Sequence, residues 1–486
     1  MPPKTSDMTN ANTDSSCVNV LGSRSGKWAT VPPECLSLIF EAGLESILPE
    51  YWEDATSEDD YDLCQFISSI TQTCRWWHRV ALETPRIWSK LILDEYTPIT
   101  RLETWLARSK AAPLFINIGG DLAPGTPIAT SLFPLLNKHV HHWARVYLQS
   151  DAPWGLETLL KGTEGRDAPF LEHLTLWQTP EHDAFPQEYS PIPTVNIFNG
   201  PGSAPKLVEV DIIGTQLDWS NSPFQNLKTL SLARIRTGEE MRIEEFQNLL
   251  LELQQLTVLR LITNVVRPDD LANAFQGTNH PPQQISVPCL KELTISRYGS
   301  PSIVNFTLAL MHVPNLRLLQ LADLDMDAEG FTMDFAPTIE FLGTGTLSSF
   351  EHLEGLDLRR LCCRSPAAWE SLCARLTNLR ALSLCRMAEG PIEYQDVYEG
   401  YLGALFRPNG VDSMGRDRLK IGCPNLRSVF VVGCSESTVI DFAKRRLKLG
   451  YGLERVTLGD DPSGGMVKEL AELGVEWVWR SDIDLW

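Results

Sequence analysis

The chain has 486 residues, of which 42 are basic and 62 acidic, so its formal net charge is −20. Proteins that bind mainly phosphate backbones or anionic membranes need net or strongly clustered positive charge, so this balance argues against both classes. At roughly 150 residues per domain, the length corresponds to about three ordinary domains or to one elongated repeat array with an appendage.

Residues 1–27 are rich in Ser, Thr, Asn and Gly, and their few apolar residues show no period. Such a segment cannot bury enough apolar surface to offset the entropy of ordering, so we expect a disordered leader. It contains no apolar signal core, and no window of the chain approaches the ~18 uninterrupted apolar residues of a membrane span. We therefore expect no membrane contact and a cytoplasmic and/or nuclear location.

Residues 28–95 have the pattern of a small all-α module. Pro33 stands where the first turn of a helix tolerates proline, and Leu36, Ile39, Phe40 and Gly43 follow at the spacing of one apolar helical stripe. Within the module, residues 45–62 contain eight acidic side chains and no basic one, which predicts a solvated loop.

A second helical stretch is predicted from Leu63 to about Leu82, where Thr84-Pro85 ends it. Three motifs of this module then stand in order: Val31-Pro32-Pro33-Glu34-x-Leu36-x-x-Ile39-Phe40, Thr73-Cys74-Arg75-Trp76-Trp77 and Pro85-Arg86-Ile87-Trp88.

This ordered set, spread over about sixty residues, resembles the F-box. Val31 replaces the usual Leu, Thr73 replaces the usual Val, and residues 45–62 form an acidic insertion. The resemblance implies docking on a Skp-type adaptor, and through it on cullin and RING subunits. The adaptor-facing residues it implies are Val31, Pro32, Leu36, Ile39, Phe40, Cys74, Trp77 and Trp88.

The remainder, residues 96–486, is dominated by a leucine-rich pattern. The spacing apolar-x-x-apolar-x-apolar recurs ten times, starting at Leu171, Leu207, Leu227, Leu256, Leu290, Leu316, Leu353, Leu379, Leu426 and Leu453. Degenerate copies are expected around 91–93, 114–118, 143–148 and 475–477. The shorter spacings match those of leucine-rich repeats, in which each copy supplies one strand with alternate residues pointing inward.

We therefore expect an α/β chain in which the small all-α F-box precedes an irregular leucine-rich-repeat solenoid. The solenoid would be a curved parallel sheet with helices, such as those around 243–253 and 369–376, on its convex side. At the position where such repeats usually carry Asn or Cys, only Asn264 and Cys434 fit, so the usual amide ladder should be mostly absent.

Outward strand positions on the concave face would contact a target protein. Aromatic and arginine side chains contribute most to interfaces, so the target-binding candidates are Trp177, Arg260, Arg359, Phe430 and Arg455. The alternative is that these are solvent-facing strand residues with no partner.

Three features resemble chemical sites. His139, His141 and His142 cluster, but no Cys or carboxylate nearby completes a metal site. Aspartates from 323 to 334 partly match a calcium loop that lacks its glycine and its final Glu. Cys362, Cys363, Cys373 and Cys385 contain no C-x-x-C and are interpreted as buried structural thiols.

No catalytic fingerprint is present, so we expect no metal, no cofactor and no enzymatic activity from the chain itself. The resemblance implies a substrate-recognition subunit of an SCF-type E3 ubiquitin ligase, with catalysis in partner subunits. The alternative is a leucine-rich-repeat scaffold or receptor that binds a protein or small ligand without a ligase. A less favoured third reading is an enzyme that uses the histidine cluster.

Overall fold

The computed structural model describes residues 31–48, 56–94, 96–120, 122, 125–126, 128–150, 155–178, 196–215, 217–219, 223–233, 240–262, 265–270, 284–296, 300–322, 334–344, 350, 352–359, 361, 363, 365–385, 402–403, 405–411, 417–432, 434–459 and 462–479. Its main feature is a parallel sheet of 14 strands that pair in chain order. These strands are β1 (Lys90–Leu93), β2 (Leu114–Ile118), β3 (Trp143–Ser150), β4 (His173–Gln178), β5 (Glu209–Ile213), β6 (Thr229–Ala233), β7 (Val258–Ile262), β9 (Glu292–Ser296), β11 (Leu318–Ala322), β12 (Gly355–Arg359), β13 (Ala381–Cys385), β16 (Ser428–Val432), β17 (Arg455–Leu458) and β18 (Glu476–Trp479).

Each of the ten leucine-rich copies forms one strand of this sheet, and the four degenerate copies form β1, β2, β3 and β18. The register keeps the inward positions aligned from strand to strand: Leu356 lies beside Leu382, and Leu358 beside Leu384. These leucines are buried, because one repeat cannot cover its own apolar face and must stack on its neighbours. The strand predictions are therefore confirmed, and the chain has a solenoid-like mixed α/β fold.

Helices connect many of the strands, including the two predicted around 243–253 and 369–376. No helix within the described ranges is both long enough and apolar enough to cross a bilayer. Two small sheets, β8 (Ile285–Ser286) with β10 (Met311–His312) and β14 (Phe406–Val411) with β15 (Asp417–Ile421), lie outside the main one. The helices are α1 (Pro33–Glu45), α2 (Ser57–Gln72), α3 (Arg75–Glu83), α4 (Ile99–Ser109), α5 (Phe133–Lys138), α6 (Gly155–Lys161), α7 (Ile243–Glu252), α8 (Pro301–Leu310), α9 (Ala336–Gly343), α10 (Pro366–Arg375), α11 (Glu436–Lys448) and α12 (Gly464–Glu472).

The helical stretch predicted from Leu63 to about Leu82 is interrupted, since the chain breaks between α2 and α3. Cys74 has an extended backbone, with φ −162° and ψ 167°, and its sulfur accepts a hydrogen bond from the Trp77 N–H at 3.5 Å. The apolar period runs through this break, so periodicity alone did not reveal it.

The prediction of a solvated loop over residues 45–62 is wrong at both ends of that range. Glu45 is the last residue of α1, and α2 already begins at Ser57. Thr56 caps α2: its N–H and its hydroxyl both donate to Asp59 Oδ2, at 2.7 and 2.8 Å. Acidic side chains in a first helical turn also interact favourably with the helix dipole. Residues 49–55 of the expected insertion lie outside the described residues.

The N-terminal helices and the sheet share one apolar core that runs from Leu36 to Val475. Trp88 lies at the junction, where its indole N–H donates to the Ala81 carbonyl at 2.8 Å and its ring packs edge-on against Trp105. The sheet begins at β1, before the boundary predicted at residue 96, because β1 follows Trp88 directly. The predicted leader, residues 1–27, lies outside the described residues.

Amide side chains do link successive repeats, but at a position that we did not predict. Asn226, Asn315 and Asn425 each stand directly before the first Leu of a repeat. Their Nδ2 groups donate to the backbone carbonyls of Pro205, Pro288 and Thr377, at 3.1, 2.8 and 2.9 Å. The sequence signal for this ladder is the Asn-Leu pair that opens each of these three repeats.

Candidate functional site

Helix α1 carries apolar residues on two faces. Leu36, Phe40 and Leu44 are buried in the core at the spacing i, i+4, i+8. On the opposite side, Leu38 is 64% exposed and Ile39 49% exposed. The predicted stripe is therefore divided between two faces: Leu36 and Phe40 lie in the core, whereas Ile39 lies on the outer face.

Three of the eight adaptor-facing candidates are not on the surface. Leu36, Phe40 and Trp88 are buried, and Phe40 packs edge-on against Trp77 with ring centroids 5.2 Å apart. These residues therefore stabilise the module, and the prediction that they form a free surface is corrected. Their spacing gave no means of separating the inward face from the outward face.

The other candidates remain at least partly accessible. Pro32, Ile39 and Cys74 are exposed, whereas Val31 and Trp77 are half-buried. Sequence analysis missed Leu38, although it is the most exposed large apolar residue of α1. Cys35 and Ala42 of the same helix are also exposed. We call the four exposed residues Cys35, Leu38, Ile39 and Ala42 the outer α1 stripe.

Helix α1, which carries the outer α1 stripe, is held in place by hydrogen bonds and by close packing on its neighbours. The Ser37 and Thr84 hydroxyls are 2.8 Å apart, and the Thr84 hydroxyl also donates to the Val80 carbonyl of α3. The Arg86 guanidinium donates to the Glu41 carboxylate at 3.3 Å. Gly43 permits close packing on α2, because a Cβ there would lie 2.9 Å from the Phe66 ring.

The five target-binding candidates lie at outward positions of the sheet but do not form one patch. Trp177 is on β4 and Arg455 on β17, nine strand steps apart, which is roughly 43 Å at ~4.8 Å per step. Arg260 lies between them on β7 and is half-exposed, as is Trp177. Arg455 is exposed and pairs with Glu476 at 2.9 Å.

Phe430 and Arg359 differ from the expectation. Phe430 is only 5% exposed although it occupies an outward strand position, so the prediction of an accessible aromatic contact there is wrong. The Arg359 Nε donates to Asp357 Oδ2 at 2.8 Å, and most of the Arg359 side chain is buried.

Asp357 joins a polar network on the same face of the sheet. Its Oδ2 also accepts from Gln320 Nε2 at 3.3 Å, and Gln320 Oε1 accepts from the Thr294 hydroxyl at 2.6 Å. Asp357 is fully buried, and this burial raises the pKa of its carboxyl despite the neighbouring Arg359 guanidinium. The network links β9, β11 and β12 from side chain to side chain.

The features that resembled chemical sites have ordinary structural settings where they are described. His139, His141 and His142 lie close together, with ring centroids 4.0 to 6.3 Å apart. Burial lowers the pKa of His139 and of His142. Across the described part of the chain, no group of three or more His, Cys, Asp or Glu side chains is arranged to hold a metal ion.

Cys363, Cys373 and Cys385 are buried, as the structural interpretation of these three thiols requires. Burial raises the pKa of Cys385 to about 12, so this thiol stays protonated and unreactive at neutral pH. Cys362, and the aspartates of the calcium-like run except Asp334, lie outside the described residues.

A comparison of the chain with models of protein families gives no match, and a comparison with curated proteins gives none either.

Proposed function

We propose that the chain is the substrate-recognition subunit of an SCF-type E3 ubiquitin ligase. Helices α1 to α3 would form an F-box that docks a Skp-type adaptor, and the array of strands and helices would be a leucine-rich-repeat domain that binds the target protein. The outer α1 stripe is the observation that carries this proposal.

A surface helix normally has one apolar face turned to the core and a polar face turned to water. Helix α1 buries Leu36, Phe40 and Leu44 on one side and still exposes Leu38 and Ile39 on the other. Exposed apolar residues that lie together on one face favour a protein partner. This second face belongs to the module whose motifs resemble the F-box, which supports docking of a Skp-type adaptor there.

The array supports the second half of the proposal. Fourteen parallel strands in chain order produce a long face on which side chains of successive repeats stand in register. Repeat arrays of this kind offer extended binding surfaces, because each repeat adds one strip of side chains. A target protein bound there would be held at a fixed distance from the adaptor.

In this proposal the chain acts through proximity. The adaptor would connect it to the cullin and RING subunits, and the array would raise the effective concentration of the target beside the transferring enzyme. The shared core between the helical module and the sheet supports this role, because a rigid link preserves that distance better than a flexible one.

Co-purification with a Skp-type adaptor tests the proposal. The chain should retain the adaptor, and the double substitution Leu38→Glu, Ile39→Glu should abolish retention by placing two charges on the outer α1 stripe. If the chain retains no adaptor but still captures a protein through its array, the scaffold without a ligase replaces this proposal.

A further inference from the structure

A row of six charged side chains runs along the sheet at the amino-terminal ends of its strands. Each residue of the row stands one position before a strand, and its backbone N–H donates to the corresponding residue of the preceding repeat. These hydrogen bonds measure 2.7 to 2.8 Å from Arg317 onward. The row consists of Lys291, Arg317, Glu354, Arg380, Arg427 and Glu454.

The backbone ladder fixes the spacing of these side chains at the distance between strands, ~4.8 Å. The six residues line a groove of about 1130 Å³, which we call the amino-end groove. Asn315 and Asn425 also line it, and their amide hydrogen bonds to Pro288 and Thr377 brace its floor. The groove therefore has a backbone held by hydrogen bonds, with exposed charged side chains above it.

Positive charge is in excess in this groove. The row contains four cations and two carboxylates, whereas the chain as a whole carries a net charge of −20. Glu354 is shared between Arg317 and Arg380, at 3.7 and 3.9 Å. Lys291 has no ion pair with any residue that the structure describes.

The arginines are available for other partners. The side chains of Arg317, Arg380 and Arg427 are 63%, 70% and 53% exposed. Their ion pairs are long and solvated, so exchanging one carboxylate for another changes the free energy little. An incoming acidic group could therefore replace Glu354 without leaving a buried charge unpaired.

The dimensions of the row indicate the shape of its occupant. From Lys291 to Arg427 there are four strand steps, or roughly 19 Å, which an extended peptide covers with about six residues at ~3.3 Å each. Nucleic acid fits less well, because the net charge of −20 would repel a long polyanion more strongly than a short acidic segment.

We propose that the amino-end groove binds an extended acidic segment of a partner protein. The assignment of this segment to the target of the ligase rests on the proposed function, whereas the binding itself does not. The candidates Trp177 and Arg260 lie outside the groove, so the inference moves the expected contact from the face of the sheet to its amino-terminal edge.

Fluorescence anisotropy with the full-length chain tests this inference. The probe is a fluorescein-labelled peptide of eight residues in which Glu alternates with Ser, and its control replaces every Glu by Gln. We expect the Glu peptide to bind at least tenfold more tightly in 50 mM NaCl, and to bind more weakly in 300 mM NaCl because salt screens exposed charges.

Charge reversal locates the site. Arg380→Glu should weaken binding of the Glu peptide at least fivefold, with an unchanged melting temperature as the folding check. Arg79→Glu is the matched control: it makes the same change in net charge at an exposed ion pair on α3, in the N-terminal helical module and far from the groove. It should leave the affinity within twofold of the original.

Equal binding of the Glu and Gln peptides would overturn the inference, and so would equal effects of Arg380→Glu and Arg79→Glu. Tighter binding of a single-stranded oligonucleotide, lost in Arg380→Glu, would assign the groove to nucleic acid instead. Adaptor retention by the same preparations separates the two proposals. Retention without peptide binding contradicts only the groove, and peptide binding without retention contradicts only the ligase.

Discussion

The carboxylate of Asp60 and the guanidinium of Arg101 form an ion pair 2.8 Å long between α2 and α4. Both side chains are mostly buried, and the same guanidinium nitrogen lies 3.1 Å from the Cys64 sulfur. Because α2 belongs to the N-terminal helical module and α4 follows the first strand of the sheet, this pair joins the two parts of the chain.

Replacing Arg101 by Met should destabilise the protein by about 1 to 3 kcal/mol. The loss comes from leaving the Asp60 carboxylate without its cation in a site that already disfavours charge, since burial raises the pKa of Asp60. Urea unfolding measures it, and adding Asp60→Asn should recover part of the loss. The exposed Lys444–Glu469 pair is the control, because Lys444→Met should change stability little although that pair measures 2.6 Å. Equal effects of the two substitutions would contradict a role for burial.

Two adjacent leucines of α7 test the inward and outward faces of the array. Leu250 is fully buried and Leu251 is 54% exposed. Leu250→Ala should cost about 2 to 5 kcal/mol because it leaves a cavity in the core, whereas Leu251→Ala should stay within about 0.5 kcal/mol. Thermal or urea unfolding of both variants gives the comparison. A similar loss at both positions would show that α7 packs with a different face.

The amide ladder predicts a smaller, repeated effect. Asn315→Ala and Asn425→Ala should each destabilise by about 0.5 to 1.5 kcal/mol, because each removes the donor to a carbonyl of the neighbouring repeat. The loss of stability in the double variant should be close to the sum of the two single losses, since the two sites are several strands apart. Asn248→Ala on the exposed side of α7 serves as the control. If all three single variants have the same free energy of unfolding, the amide hydrogen bonds between repeats do not stabilise the array.

Because the Asp357 carboxyl is buried, we expect the stability of the protein to depend on pH. Burial raises the folded-state pKa of Asp357 above the ordinary value of an aspartate, so ionisation of this carboxyl opposes folding. Below the unfolded pKa both states are protonated. As the pH rises through the folded pKa, the protein must hold a buried carboxylate and loses stability. The Asp357→Asn variant lacks this carboxyl, so its stability relative to the original should increase between pH 4 and pH 7.5.

Urea unfolding across that pH range checks the prediction, with Asp441→Asn, at an exposed position of α11, as the baseline for losing one surface charge. A relative stability that falls with rising pH would contradict it, because this would mean that Arg359 lowers the pKa of Asp357 below its unfolded value.

The sequence predicted all fourteen strands of the main sheet, because period-two burial leaves a strong signal whenever both inward positions are large and apolar. Leu356 and Leu358 show this in β12, and even the degenerate Leu91 and Leu93 were sufficient for β1. The helical module was harder, since its apolar residues face two directions. Leu36 and Ile39 share a predicted stripe but differ completely in exposure.

Other differences have local causes. The start of α2 at Ser57 depends on the capping contacts of Thr56 with Asp59, a pattern that the sequence contained but that the run of acidic residues obscured. The burial of Phe430 and Asp357 depends on neighbours that are distant in the chain, which period-two alternation does not report. The groove cations were also missed, because they stand before the strands and not at the outward positions within them.

Direct binding to a purified Skp-type adaptor, measured by isothermal titration calorimetry, is the most direct test of the central claim. We expect one-to-one binding by the full-length chain, loss of binding in the Leu38→Glu, Ile39→Glu variant, and unchanged binding in Leu251→Glu, which alters a leucine on α7 whose exposure, 54%, lies between those of Leu38 and Ile39. Absence of binding by the unaltered chain, or equal binding by the variant of the outer α1 stripe, would contradict the account.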